Sequence, residues 1–326
     1  MRADQLRRGD IVEVRGAAEI LATLDDQGAL EALPFMPEMV AHCGRRFTVD
    51  RRTEKVCDTI KNFNSRRLAD CVFLDDVRCD GSGHDGCQAD CRPYWKEAWL
   101  RRVTPSEPAQ QTGDDHEARR ALLELVTRGT RTPNGDGGVR YCCQATEMVA
   151  ASEPLSLTDP RPYLREYTSH NVSIRTFTRV MTRATVTEVR RKLDRLPALP
   201  VQGTSARSPD TPPLDLQPGE RVRVKSRDQI RQTLTNKGMN RGLWFDVEML
   251  QFCGRTFRVR RRIERFLNER NGEMIELPSD CVTLEGVVCS GEWSTQRWFC
   301  PRAIHPYWRE CWLERVEATK SNAVPQ

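Results

Sequence analysis

Residues 70–103 read DCVFLDDVRCDGSGHDGCQADCRPYWKEAWLRRV, and residues 280–316 read DCVTLEGVVCSGEWSTQRWFCPRAIHPYWRECWLERV. Asp70, Cys71, Val72, Leu74, Val77 and Cys79 return as Asp280, Cys281, Val282, Leu284, Val287 and Cys289. After a three-residue insertion, Cys87 returns as Cys300. Pro93, Tyr94, Trp95, Glu97, Trp99, Leu100, Arg102 and Val103 return as Pro306, Tyr307, Trp308, Glu310, Trp312, Leu313, Arg315 and Val316. Upstream, the match runs on at a constant offset of 210: Gly9, Val12 and Val14 against Gly219, Val222 and Val224, and Glu38-Met39 against Glu248-Met249. Cys43-Gly44-Arg45 likewise matches Cys253-Gly254-Arg255. The chain carries two copies of one domain of about 95 residues, a usual domain size.

Within a copy, the pattern predicts short strands and little helix. GDIVEVR at 9–15 alternates apolar and polar residues, as a half-buried strand does. Residues 17–25 place Ile20, Leu21 and Leu24 at helical spacing, with Gly28 as a stop. RFTVDRR at 46–52, residues 70–78 and Trp95–Val103 supply three more extended segments. These features predict a mainly β fold with α segments: two tandem SH3-like small β-barrels joined by a helical middle segment. The first repeat is assigned 1–104, a linker 105–115, the helical middle 116–196, a Pro-rich flexible linker 197–218, the second repeat 219–317 and a disordered tail 318–326. The middle is read as a helix at 116–129 and a basic helix capped by Asn171 and running to about Leu196. The doubled Cys-Gly-Arg and Pro-Tyr-Trp pattern resembles a group of uncharacterised bacterial proteins built on the same duplication. That resemblance covers nearly the full length, including 141–193, and implies architecture alone.

Composition narrows the class. Hydrophobic residues make up 38% and charged residues 30%, which suits a folded, water-soluble chain. No apolar run reaches the length of a membrane span, and MRADQLRRGD lacks the core of a secretion signal, so the expected location is cytoplasmic. Thirteen cysteines in a reducing compartment point to metal ligands or buried thiols before disulfides. A net charge of +5 is only a mild basic bias.

The chemistry concentrates in one loop. Cys79, His84, Cys87 and Cys91 fall within thirteen residues, separated by Gly81, Gly83 and Gly86, which let the backbone wrap one ion. Four N/S donors suit tetrahedral zinc. Cys57 competes as a fourth thiolate, and the set Cys57, Cys79, Cys87 and Cys91 could instead hold an iron–sulfur cluster. In the second copy Cys289 and Cys300 persist, Leu267 and Ile304 replace Cys57 and Cys91, and His305 and Cys311 are the third and fourth candidate ligands for a second metal. Cys43, Cys71, Cys253 and Cys281 adjoin apolar strand residues and read as small buried hydrophobes. Cys142-Cys143 reads as structural, and Arg51-Arg52 and Arg260-Arg261-Arg262 as solvated strand edges. No nucleophile stands beside a base, and no Gly-rich phosphate loop follows a strand. The leading expectation is a non-enzymatic, zinc-stapled binding or scaffold protein whose partner is another protein. The alternatives are a metal-dependent or iron–sulfur redox enzyme using the cysteine cluster, and a nucleic-acid-binding protein using its arginines and tryptophans.

Overall fold

The computed structural model describes residues 5–61, 65–107, 116–133, 137–156, 159–193, 201–277, 280–294 and 297–316. Most of the expected 105–115 linker, the last residues of the basic helix and the 318–326 tail lie outside these residues. The chain forms two compact units. The first comprises Met1–Thr187, Arg265–Ile275 and Ser290–Ile304; the second comprises Glu188–Glu264, Glu276–Cys289 and His305–Gln326. Two pieces of the second repeat are therefore built into the first unit.

Each unit holds one five-stranded antiparallel sheet, and the two ladders repeat pair for pair. In the first, Ile11–Val14 lies between Arg46–Arg52 and Leu100–Arg102, with Cys71–Leu74 and Trp95–Lys96 beyond. Val12 faces Phe47 on one side and Arg102 on the other. In the second, Val222 faces Phe257 and Arg315. Both ladders break register at the same place, Val49/Arg51 and Val259/Arg261. The repeated glycine of Cys-Gly-Arg has a backbone reason. Gly44 (φ 78°) and Gly254 (φ 76°) take left-handed turns. Their N–H groups then reach Val14 O and Val224 O at 2.8 Å, closing each strand onto the next.

The repeated tryptophans anchor both cores. Trp99 Nε1 donates to Thr23 Oγ1 at 3.1 Å, and Trp312 Nε1 to Thr233 Oγ1 at 3.0 Å. Phe35 and Phe245 stand edge-on to these rings at 5.0 and 5.2 Å. Trp95, Trp99, Trp308 and Trp312 are all fully buried. Trp293 and Trp298 belong to the first unit, where Arg183 stacks 3.8 Å over Trp293, and they take no part in the second core.

Several expectations are corrected. The fold mixes helices and strands in small sheets, and among the described residues no barrel closes. The edge strands Trp95–Lys96 and Leu100–Arg102 are two and three residues long, and the 3-10 turn Glu97–Trp99 between them carries the backbone out of the ladder. Helix α1 is short, Ala17–Leu21, and α2 spans His116–Gly129 as its apolar stripe predicts. Asn171 is no helix cap. It is fully buried, its side chain pairs with both backbone groups of Arg52 at 2.8 and 3.0 Å, and Ser173 begins the turn into α4, Ile174–Lys192. Between α2 and α4 lies α3, Arg161–Thr168. Arg52 is only 2% exposed, bonded to Glu97, Glu54 and Leu6 O, so this arginine is a core group rather than a solvated edge.

The linker expected to be flexible is packed where it is described. Val201 and Leu216 join the second core, Gly203 N–H donates to Thr235 O at 2.9 Å, and Asn236 N–H to Ser205 O at 2.7 Å. Gly203 lies beside α5 (Arg227–Thr233), where a Cβ would stand 1.6 Å from Leu234 O. Gly203→Ala is therefore expected to destabilise the second unit by about 2–3 kcal/mol, because backbone must move. Urea denaturation of the full chain would read it, and an unshifted midpoint would contradict the packing.

The first core also buries a proton-sensitive carboxyl. Glu166 is 0% exposed and accepts from Asn171 Nδ2 at 2.8 Å. Burial pushes its carboxyl up from 4.5 to about 8, against the opposing pull of Asn171 and Lys55. The folded chain then holds a proton that the unfolded chain has lost between these values. Its contribution is full below pH 4.5 and falls as pH rises to 8. Glu166→Gln should leave stability at pH 4.5 unchanged and raise it at pH 8 by a few kcal/mol. Melting curves at the two pH values would show it, and equal shifts at both would contradict the assignment.

Candidate metal centre

Burial and turn geometry assemble three donors in the first unit. Pro37 starts a 3-10 turn, Pro37–His42, which carries Glu38. Cys79 and His84 come from the glycine-rich loop, whose ends are tied by Cys79 N–H donating to Cys91 O at 2.8 Å. Gly81 enters the loop left-handed (φ 79°), with Cys87 O only 2.1 Å from where a Cβ would stand. His84 follows in the turn Ser82–His84, its N–H donating to Gly81 O at 3.1 Å. Gly83 leaves room for the carboxylate, since a Cβ there would lie 2.8 Å from Glu38 Oε2.

Glu38, Cys79 and His84 offer ligand atoms all within 4.8 Å of one another, with Cys79 Sγ 3.7 Å from His84 Nε2. His84 is 3% exposed, yet its Nδ1 has no hydrogen-bond partner, and neither has the buried Glu38 Oε2. Buried polar atoms without partners are uncommon, and a bound cation would give these two a partner. Burial raises the Glu38 carboxyl and pushes the Cys79 thiol well up, while it lowers His84 to about 4. The imidazole is thus neutral and ready to ligate, whereas a cation must displace the thiol proton, so affinity should rise with pH. A thiolate, an imidazole and a carboxylate suit zinc among divalent ions, and leave one tetrahedral position open.

The other predicted ligands are placed elsewhere. Cys87 Sγ accepts from Leu267 N–H at 3.4 Å, and Cys91 contributes its carbonyl to the loop. Cys57 meets Cys300, not Cys79: its N–H donates to Cys300 Sγ at 3.2 Å. Among the described residues, the four thiols Cys57, Cys79, Cys87 and Cys91 form no common ligand group. Cys300 lies in the first unit, while Cys289 and His305 lie in the second, where His305 Nδ1 contacts Val287 O at 3.1 Å. No described group of three donors includes any of these three. The second repeat keeps Glu248 and Cys289 in place of Glu38 and Cys79, but has Ser294 or Arg297, depending on register, where the first has His84. Cys43, Cys71 and Cys281 are buried as expected of small hydrophobes, with Cys253 half-buried beside the second core. Glu38 is the donor that sequence reasoning missed. Its repetition as Glu248, in step with Cys79 and Cys289, was the available signal.

The chain matches no protein-family model, no curated protein and no solved structure. The centre is therefore read from its own residues. Among the described residues, no helix is long and apolar enough to cross a membrane.

Proposed function

We propose that this protein is a non-enzymatic binding or scaffold protein whose first unit is stapled by one zinc ion held by Glu38, Cys79 and His84. The observation that carries the reading is the convergence of three chemically different donors within 4.8 Å around a buried histidine with an unpartnered nitrogen. Three protein ligands with a fourth position open are the usual pattern of a catalytic zinc, so the structural reading rests on the burial of His84, Gly81 and Gly83. The iron–sulfur alternative lacks its four-thiol cage among the described residues.

We also read each repeat as an opened SH3-like barrel. In support, its first strand pairs with its last, the middle strands form a meander, and one 3-10 turn precedes the last strand. A protein partner is favoured by exposed apolar side chains on α3 and α4 of the first unit: Leu164, Tyr167, Ile174 and Val186.

Elemental analysis of the native full-length chain tests the staple. One zinc per chain is expected, lost in Cys79→Ser and retained in Cys91→Ser. Retention in Cys79→Ser with loss in Cys91→Ser would overturn the ligand set.

A further inference from the structure

We propose that Cys57 and Cys300 are the two halves of a reversible disulfide that ties the second repeat's 290–304 segment to the first repeat inside the first unit. Their meeting comes from a reciprocal exchange between equivalent segments. Cys57 N–H donates to Cys300 Sγ at 3.2 Å, and Leu267 N–H donates to Cys87 Sγ at 3.4 Å. By the offsets of the repeat, Leu267 is the counterpart of Cys57, and Cys87 is the counterpart of Cys300. The two contacts are one contact made twice, as in an isologous interface. Thr59 and Glu269, themselves equivalent, hydrogen-bond each other, as a local two-fold requires. On one side of this pseudo-symmetry a thiol meets leucine. On the other, thiol meets thiol.

The surroundings hold that pair face to face. Both residues are buried, and the two thiols hydrogen-bond one another. Lys55 Nζ donates to Trp298 O at 2.7 Å, and Arg302 Nη1 donates to Cys57 O at 3.2 Å, pinning both chain segments. The same Arg302 nitrogen stands 4.0 Å from Cys57 Sγ. A cation beside sulfur favours the thiolate, which is the attacking species, while the hydrogen bond with Cys300 and then burial oppose it and hold Cys57 protonated at rest. Attack therefore proceeds through local opening of the segment.

The co-reactant is a peroxide. One thiolate takes an oxygen from hydrogen peroxide, breaking its O–O bond and releasing hydroxide, which is protonated to water. The second sulfur then displaces the sulfenic hydroxyl as a second water and forms the S–S bond. Two thiols lose two electrons and two protons, and the peroxide is reduced to two waters.

The test uses reduced full-length protein treated with hydrogen peroxide, then alkylated under denaturing conditions, digested and read by mass spectrometry. A linked Cys57–Cys300 peptide is expected, about 2 Da below the sum of its parts and removed by dithiothreitol. Alkylation of Cys57 should fall at least about tenfold. Cys87→Ser should keep the link, and Cys300→Ser should leave Cys57 open to alkylation. Full alkylation of both residues in treated wild type, or Cys57 linked to another cysteine such as Cys91, would overturn the proposal.

Discussion

His84→Ala is expected to strip the first unit of the zinc proposed for it and, with it, most of the unit's stability. The imidazole supplies the only nitrogen donor in the group, and Glu38 and Cys79 alone leave zinc with two protein ligands. Structural zinc contributes on the order of 10 kcal/mol in small zinc domains. A three-ligand site will contribute less, but even half of that rivals a whole domain's stability of about 5–15 kcal/mol. The variant should lose zinc on dialysis and melt early by near-UV circular dichroism. A chelator should lower the wild-type melt and have no further effect on His84→Ala. His305→Ala, whose histidine faces Val287 O, should retain zinc and serve as the control. A His84→Ala protein that kept one zinc per chain would remove His84 from the centre.

The second large effect is expected at Glu310, in the other unit. Its carboxylate is 0% exposed and accepts from three successive backbone N–H groups, Leu214 at 2.6 Å, Asp215 at 2.8 Å and Leu216 at 2.9 Å. Arg262 Nη1 adds a fourth donor at 3.2 Å. Truncation to alanine would leave three amides without their acceptor and take from Arg262 its buried carboxylate, leaving it Leu216 O and the exposed Asp215. Breaking a buried pair from one side costs about 3–5 kcal/mol. At a few degrees per kcal/mol, the second unit should melt roughly 10 °C lower. Glu310→Gln, which keeps an acceptor but loses the charge, should fall between. Hydrogen exchange at Leu214–Leu216 should accelerate in step. An alanine variant within about 1 kcal/mol of wild type would mean that the carboxylate does not hold the linker.

These two sites show what can be read in a sequence and what cannot. The pairing of Glu97 with Arg52, and of Glu310 with Arg262, repeats across the copies, and each arginine also reaches a leucine carbonyl, Leu6 or Leu216. The repeated glycines, tryptophans and valines were legible because each answers to a local rule: a left-handed turn, a buried ring, an alternating strand. The ligand role of Glu38 was not, because a carboxylate on a short turn looks solvated until the loop 79–91 is folded over it. Asn171 and Arg52 misled for the same reason: their partners lie far along the chain. Residues 201–218 have the composition of a flexible tether, yet Gly203 lies against Leu234 because it lacks a Cβ. A constant offset of 210 shows that two copies exist. It carries no signal that residues 265–275 and 290–304 pack into the first unit.

X-ray absorption at the zinc edge of the native full-length protein tests the central claim most directly. Glu38, Cys79 and His84 predict one sulfur at about 2.3 Å and the remaining first neighbours nitrogen or oxygen at about 2.0–2.2 Å. Three or four sulfurs around the ion would contradict this centre and restore the all-cysteine one.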